Sequence, residues 1–152
     1  MYQGLHLANA LKIIRGNALA ETALAAAKYP ASGAFVDVLG ARWVTILVHL
    51  GTVHASDTPA LQVQEATAIN GTPASISGLL CEVAANDDGE HVIFHIDPTY
   101  MTDGYRYLTL DVSDVANGSF GDITYLLYMD QQPATQPATL PSASVFSLPA
   151  TS

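Results

Sequence analysis

Residues 42–51, RWVTILVHLG, set the pattern for the whole chain. In an extended chain Val44, Ile46, Val48 and Leu50 fall on one side, and Trp43, Thr45, Leu47 and His49 on the other. Both sides are apolar, as expected of a central strand sandwiched between two layers. In ALQVQE, Leu61 and Val63 alternate with Gln62 and Gln64, the mark of a half-exposed strand. HVIFHI, YRYLTLDV and ITYLLYM follow with similar enrichment in β-branched and aromatic residues. Turn signals separate them: Ser56-Asp57 with Pro59, Asn70-Gly71, Asp88-Gly89, Asp103-Gly104 and Asn117-Gly118. Short strands punctuated this way predict an all-β body over residues 35–130, an antiparallel β-sandwich of jelly-roll-like form.

The flanks read differently. Residues 1–34 are Ala-rich and are expected to form an N-terminal arm. Within it NALAETALAAAK has high helix propensity with Asn17 as a candidate N-cap, whereas LKIIRG reads as a short strand. Residues 131–152, QQPATQPATLPSASVFSLPATS, hold four of the eight prolines and predict an extended, polyproline-like tail. The tail has no charge and ends in Val145, Phe146 and Leu148, so it is expected to lie on another surface; solvating tails are usually charged.

Composition narrows the function. Of 152 residues, 49% are apolar and 12% charged, against roughly 25% charged in an ordinary soluble domain. A surface of Ala, Thr, Ser, Gly and Asn suits a subunit that works among neighbours. The net charge of −9 is uneven: residues 1–43 sum to +2, and the remainder, where Arg106 is the sole Lys or Arg, sums to −11. An acidic body repels phosphate backbones, so no nucleic-acid partner is expected. The basic residues of the first third, Lys12, Arg15 and Arg42 among them, could face an acidic protein surface. Lys12, Arg15 and Glu21 interrupt the apolar N-terminal run, which predicts neither a membrane span nor a cleaved leader.

Catalytic chemistry finds little footing. On a strand His91 and His95 share a face but lie about 13 Å apart, too far to chelate one ion. The acidic run NDDGE, residues 86–90, lacks the ligand spacing of a calcium loop and reads as a hairpin turn. Cys81, the single cysteine, reads as a buried inert thiol. With no phosphate-binding loop, dinucleotide fingerprint or nucleophile elbow, the expectation is a protein that is no enzyme and takes no metal or cofactor.

Residues 102–114, TDGYRYLTLDVSD, are more informative. Tyrosines pair an apolar ring with a polar tip and favour interfaces. Alternation places Arg106 on the side of Leu108 and Leu110, away from Tyr105 and Tyr107. There it needs an anionic partner, an aspartate of its own chain or of a neighbouring one.

Three segments, GAFVDVLGARWVTILVHLGTV, LQVQEATAINGTPASISG and DGYRYLTLDVS, together resemble small structural proteins of tailed bacteriophages. The residues that carry the resemblance are Asp37, Gly40, Leu50, Gly51, Gln64, Glu65, Gly71, Thr72, Arg106 and Tyr107, within residues 35–115. It implies a β-sandwich virion component, several of that family being cement (decoration) proteins on capsids. The expected partner is the major capsid protein. The expected form is a homo-trimer on the capsid surface, made in the host bacterial cytoplasm. Candidate interface residues are Lys12, Arg15, Arg42, Trp43, Tyr105, Arg106, Tyr107, Val145, Phe146 and Leu148. A head–tail connector or tail subunit, and a carbohydrate-binding or adhesin sandwich with Trp43 or the tyrosines as its platform, are the competing readings.

Overall fold

The structure, a computed structural model, describes residues 10–17, 23–85, 87–119 and 121–129. Its strands are β1 (Leu11–Arg15), β2 (Ala27–Tyr29), β3 (Val36–Asp37), β4 (Ala41–Leu50), β5 (Ala60–Ala66), β6 (Ala74–Glu82), β7 (His91–Ile96), β8 (Tyr107–Ser113) and β9 (Gly121–Met129). One 3₁₀ turn, Pro98–Tyr100, is capped by the Asp97 carboxylate, which accepts from the Thr99 amide at 2.9 Å.

The strands form two antiparallel sheets, one ordered β1-β9-β4-β7 and the other β2-β8-β5-β6 with β3 also on β8. The order follows from rolling up one long ribbon. β1 lies against β9, β2 and β3 against β8, β4 against β7 and β5 against β6. Rolling then brings β9 beside β4 and β8 beside β5. This is the jelly roll, whose chain passes repeatedly from one sheet to the other.

The core lies between the sheets and is built by period-two alternation. Val44, Ile46, Val48 and Leu50 of β4 and Ile123, Tyr125 and Leu127 of β9 meet Leu61 and Val63 of β5 and Leu108, Leu110 and Val112 of β8, all but fully buried. Polar groups inside are tied across the layers. The Tyr125 hydroxyl donates to the Tyr29 carbonyl at 2.6 Å, joining β9 to β2. Burial pushes its phenol well above the ordinary value. Glu65 accepts from the Thr102 amide at 3.1 Å and from its hydroxyl, holding the turn before β8 against β5.

The N-terminal segment departs from the expected arm. LKIIRG does form a strand, β1, which pairs with β9 from Leu11 to Arg15. Residues 27–29, placed in the arm and in a candidate helix, pair with β8 as β2. Both are integral to the sheets, because their apolar residues are needed to close the sandwich. Asn17 does not act as an N-cap. Its amide donates to the Gly121 carbonyl at 2.9 Å and its oxygen accepts from the Ile123 amide at 3.0 Å, which continues the β1–β9 ladder by side chain. The proline-rich tail, with Val145, Phe146 and Leu148, lies outside the described residues.

Candidate interaction face

Sheet register decides which residues share the outer face of the β1-β9-β4-β7 sheet. Trp43 is opposite Tyr128, Thr45 is opposite Leu126 and His95, Leu47 is opposite Thr124 and Ile93, and His49 is opposite Asp122 and His91. β1 adds Leu11, Ile13 and Arg15 to the first three of these rows. The face therefore sets Leu47 and Leu126 beside Thr45 and Thr124 at its middle, and its exposed apolar groups are Ile93 at 64%, Tyr128 at 42% and Trp43 at 37%. Leu47 and Leu126 between them are half-buried by their neighbours on the sheet. The two apolar sides of β4 were expected to mean a strand between two layers; β4 is central within its sheet, but its second apolar side points away from the other sheet.

The charged groups sit at the margins, and the uncharged Thr45 and Thr124 lie within the face. Arg15 approaches the Asp122 carboxylate at 3.9 Å, the face's one ion pair among the described residues. The His95 ring stacks on Trp43 with centroids 5.0 Å apart, and its Nδ1 bonds the Thr45 hydroxyl at 3.2 Å. His91 meets His49 at 4.4 Å instead of approaching His95. Among the described residues no three His, Cys, Asp or Glu side chains come close enough to hold a metal ion.

The outer side of the second sheet is built otherwise. Lys28 pairs with Asp111 at 2.9 Å, the Gln64 amide donates to Asp111 at 3.3 Å, and the Thr109 hydroxyl donates to the Pro30 carbonyl at 2.8 Å. Lys28 and Gln64 share Asp111, although the Gln64 side-chain oxygen has no partner, and large apolar groups are few. The molecule thus has one polar and one apolar broad face.

The expected interface residues do not form a single patch. Trp43 and Arg15 lie on the apolar face. Arg42 is exposed at a register shift between Ala41 and Trp43. Arg106, just before β8, forks onto Asp37, its Nε donating to Oδ1 at 2.7 Å. The expected aspartate partner is thus one of its own chain. The expected direction is not observed: its guanidinium turns out to Asp37 and lies 5.4 Å from the Tyr107 ring centroid, although its backbone bonds Ala66 and Val38 on either side. The Arg106 fork holds the Asp37 carboxyl below the usual range, with a smaller contribution from Lys12 of the facing sheet. Tyr105 and Arg106 border a shallow hollow of about 400 Å³ with Leu39, Pro98 and Thr99. A second cleft, of about 280 Å³, opens between β7 and β6 and is lined by Trp43, Ile76, Leu79, His95, Asp97 and Tyr100. Cys81 is free and half-buried on β6.

Sequence reading missed Leu47, Ile93 and Leu126 as surface residues. The signal was present in the doubly apolar alternation of RWVTILVHLG and ITYLLYM, but only strand pairing shows that the second sides of both strands share one face. No helix among the described residues is long and apolar enough to cross a membrane. Comparison with protein-family models, curated proteins and solved structures gives no match.

Proposed function

We propose that this chain is a structural component of a tailed-bacteriophage virion, a capsid cement protein that binds the major-capsid-protein lattice and stabilises the head. The observation that carries the reading is the apolar outer face of the four-stranded sheet. A contiguous exposed apolar patch on a sandwich marks a surface that is covered in use. Trp43 and Tyr128, side by side on β4 and β9, are the aromatic anchors that such contacts favour, and Leu126, Leu47 and Ile93 extend the apolar surface along the strands. The jelly-roll topology supports the reading by analogy alone, since the architecture recurs in viral capsid and lectin domains and does not itself fix a function. The resemblance over residues 35–115 adds to it.

The mechanism is burial without chemistry. A specific contact of ordinary size removes about 800 Å² from each partner. Repetition over a lattice turns many modest contacts into a strong restraint on the shell. The test is to compare shells with and without this protein under heating and osmotic shock. Complete shells are expected to survive harsher treatment; equal survival rejects the reading. Leu47→Lys, which puts a charge in the middle of the face, is expected to abolish shell binding while leaving the β-sheet circular dichroism unchanged. A copy number matching one ring and not the whole lattice would favour a connector.

One observation favours a second reading, a carbohydrate-binding sandwich. The cleft between β6 and β7 offers the Trp43 and Tyr100 rings together with the Asp97 carboxylate, a combination that suits a sugar's apolar face and hydroxyls. Binding of isolated protein on a glycan array, lost in Trp43→Ala, would support that reading against the first.

A further inference from the structure

Among the described residues the two sheets end at β1, β7, β6 and the β2/β3 pair, of which β1 is not an open row, since Leu11 and Ile13 have partners. A border strand presents a row of unpaired backbone donors and acceptors, and proteins guard such rows with charge, proline, bulges or short strands. β1 carries Lys12 and Arg15. β2 and β3 are two short pieces separated by Pro30 and Gly33, with Lys28 and Asp37 on them. β6 breaks register opposite Gln62 and Gln64, contains Gly78 at φ 83°, and ends in Glu82. β7, HVIFHI, has none of these guards. It is six residues of uncharged, strand-favouring sequence with Ile93 64% exposed.

The phase of its ladder follows from the Gly16 amide bonding the Ile123 carbonyl at 2.7 Å. That bond turns the backbone of Ile123 to β1 and that of its register partner Val48 to β7. The Leu50 amide bonds the Glu90 carbonyl at 2.9 Å in the same phase. Antiparallel bonding alternates with period two, so Val92, Phe94 and Ile96 turn their backbone groups towards β4. The N–H and C=O groups of His91, Ile93 and His95 therefore point outward, and among the described residues they have no partner.

We propose that β7 pairs with β7 of a second copy, antiparallel about a two-fold axis at Ile93, so that the two four-stranded sheets become one continuous sheet. The sequence around Ile93 is self-complementary. The axis sets Ile93 against itself, His91 against the partner's His95, and Val92 against the partner's Phe94. Each outward-pointing residue then exchanges both its backbone bonds with an outward-pointing residue of the other copy, so all six free groups are matched. Sliding the register by two residues leaves one of the three rungs without such a match. The flanking carboxylates do not oppose each other: Glu90 falls opposite the partner's Ile96, and Asp97 opposite the partner's Gly89. Pairing also joins the two apolar outer faces edge to edge, because antiparallel strands in one sheet keep the same side up. Antiparallel contact of identical strands is isologous and closes at two copies, so the expected trimer would need a different surface.

The inference stands on the border's geometry and is independent of what the apolar face binds. Sedimentation of the full chain tests it. Wild-type protein is expected at twice its 16.0 kDa chain mass at tens of micromolar. Ile93→Lys and Ile93→Pro are expected at the single-chain mass with unchanged circular dichroism, and Ile93→Val at the doubled mass. Leu47→Lys, one strand in from the border, separates this proposal from shell binding and is expected to leave the doubled mass intact. Amides of His91, Ile93 and His95 are expected to exchange with solvent more slowly as concentration rises. A single-chain mass for wild type, a doubled mass persisting in Ile93→Lys, or exchange of those three amides that ignores concentration overturns it.

Discussion

Asp57 shows how one side chain can organise a loop far away in sequence. It is buried, and burial alone would push its carboxyl upward. Hydrogen bonds from the Ser119 hydroxyl, the Asn117 side chain, and the Ala116 and Asn117 amides outweigh that and hold it well below the usual carboxylate range. A carboxyl lowered by folding stabilises the native state above its unfolded value of about 3.9, and that contribution fades as pH falls towards the folded value. Urea midpoints followed from pH ~5 down to pH ~2 are therefore expected to fall less steeply in Asp57→Asn than in wild type. Ser56-Asp57 was legible as a turn, but nothing in it shows that the carboxylate anchors residues 116–119. The Asp37–Arg106 fork is different in kind. It is solvent-exposed, and exposed pairs lose much of their attraction to water and salt. Arg106→Ala is expected to lower the midpoint less than truncating any fully buried leucine of β8.

Among the elements, β9 lies between β1 and β4 and turns one face into the core. Its neighbours are held close. A Cβ on Gly16 would sit 2.6 Å from Ile123 Cγ2 and 3.1 Å from the Tyr125 ring, so β1 approaches β9 only because residue 16 has no side chain. Gly16→Ala is expected to cost about 1–3 kcal/mol through overpacking. Leu110→Ala, in the middle of β8, is expected to cost about 2–5 kcal/mol because the cavity lies between two sheets that cannot close over it. Denaturant unfolding of both variants checks these values. Most strands were readable from alternation, while β6, interrupted at Gly78, and the short β2 and β3 were not. Two or three residues are too few to show a period, and those strands exist because β8 offers them a partner.

The whole molecule is lopsided, with a polar outer face on one sheet and an apolar one on the other. Its charge is lopsided as well, yet the apolar face holds little of it, chiefly the Arg15–Asp122 pair. Binding through that face is therefore expected to survive ~0.5 M salt, where screening reaches within a few ångströms. A steep loss of shell binding with salt would instead point to Lys12, Arg42 and their neighbours. Joining two copies at β7 would widen the same platform without adding charge to it.

Period-two alternation and Asx-Gly turns were enough to determine an all-β sandwich and most of its inward residues, because burying one side of a strand is a local demand written every second position. That Arg106 takes an aspartate partner was legible from its being the sole Lys or Arg in an acidic body, although it does not lie beside Leu108 and Leu110 as expected. Which aspartate answers it, which apolar sides form the outer face, and which border lacks a guard were decided only when the ribbon rolled. Those properties belong to pairs of strands far apart in the chain, and no single stretch of sequence contains both members.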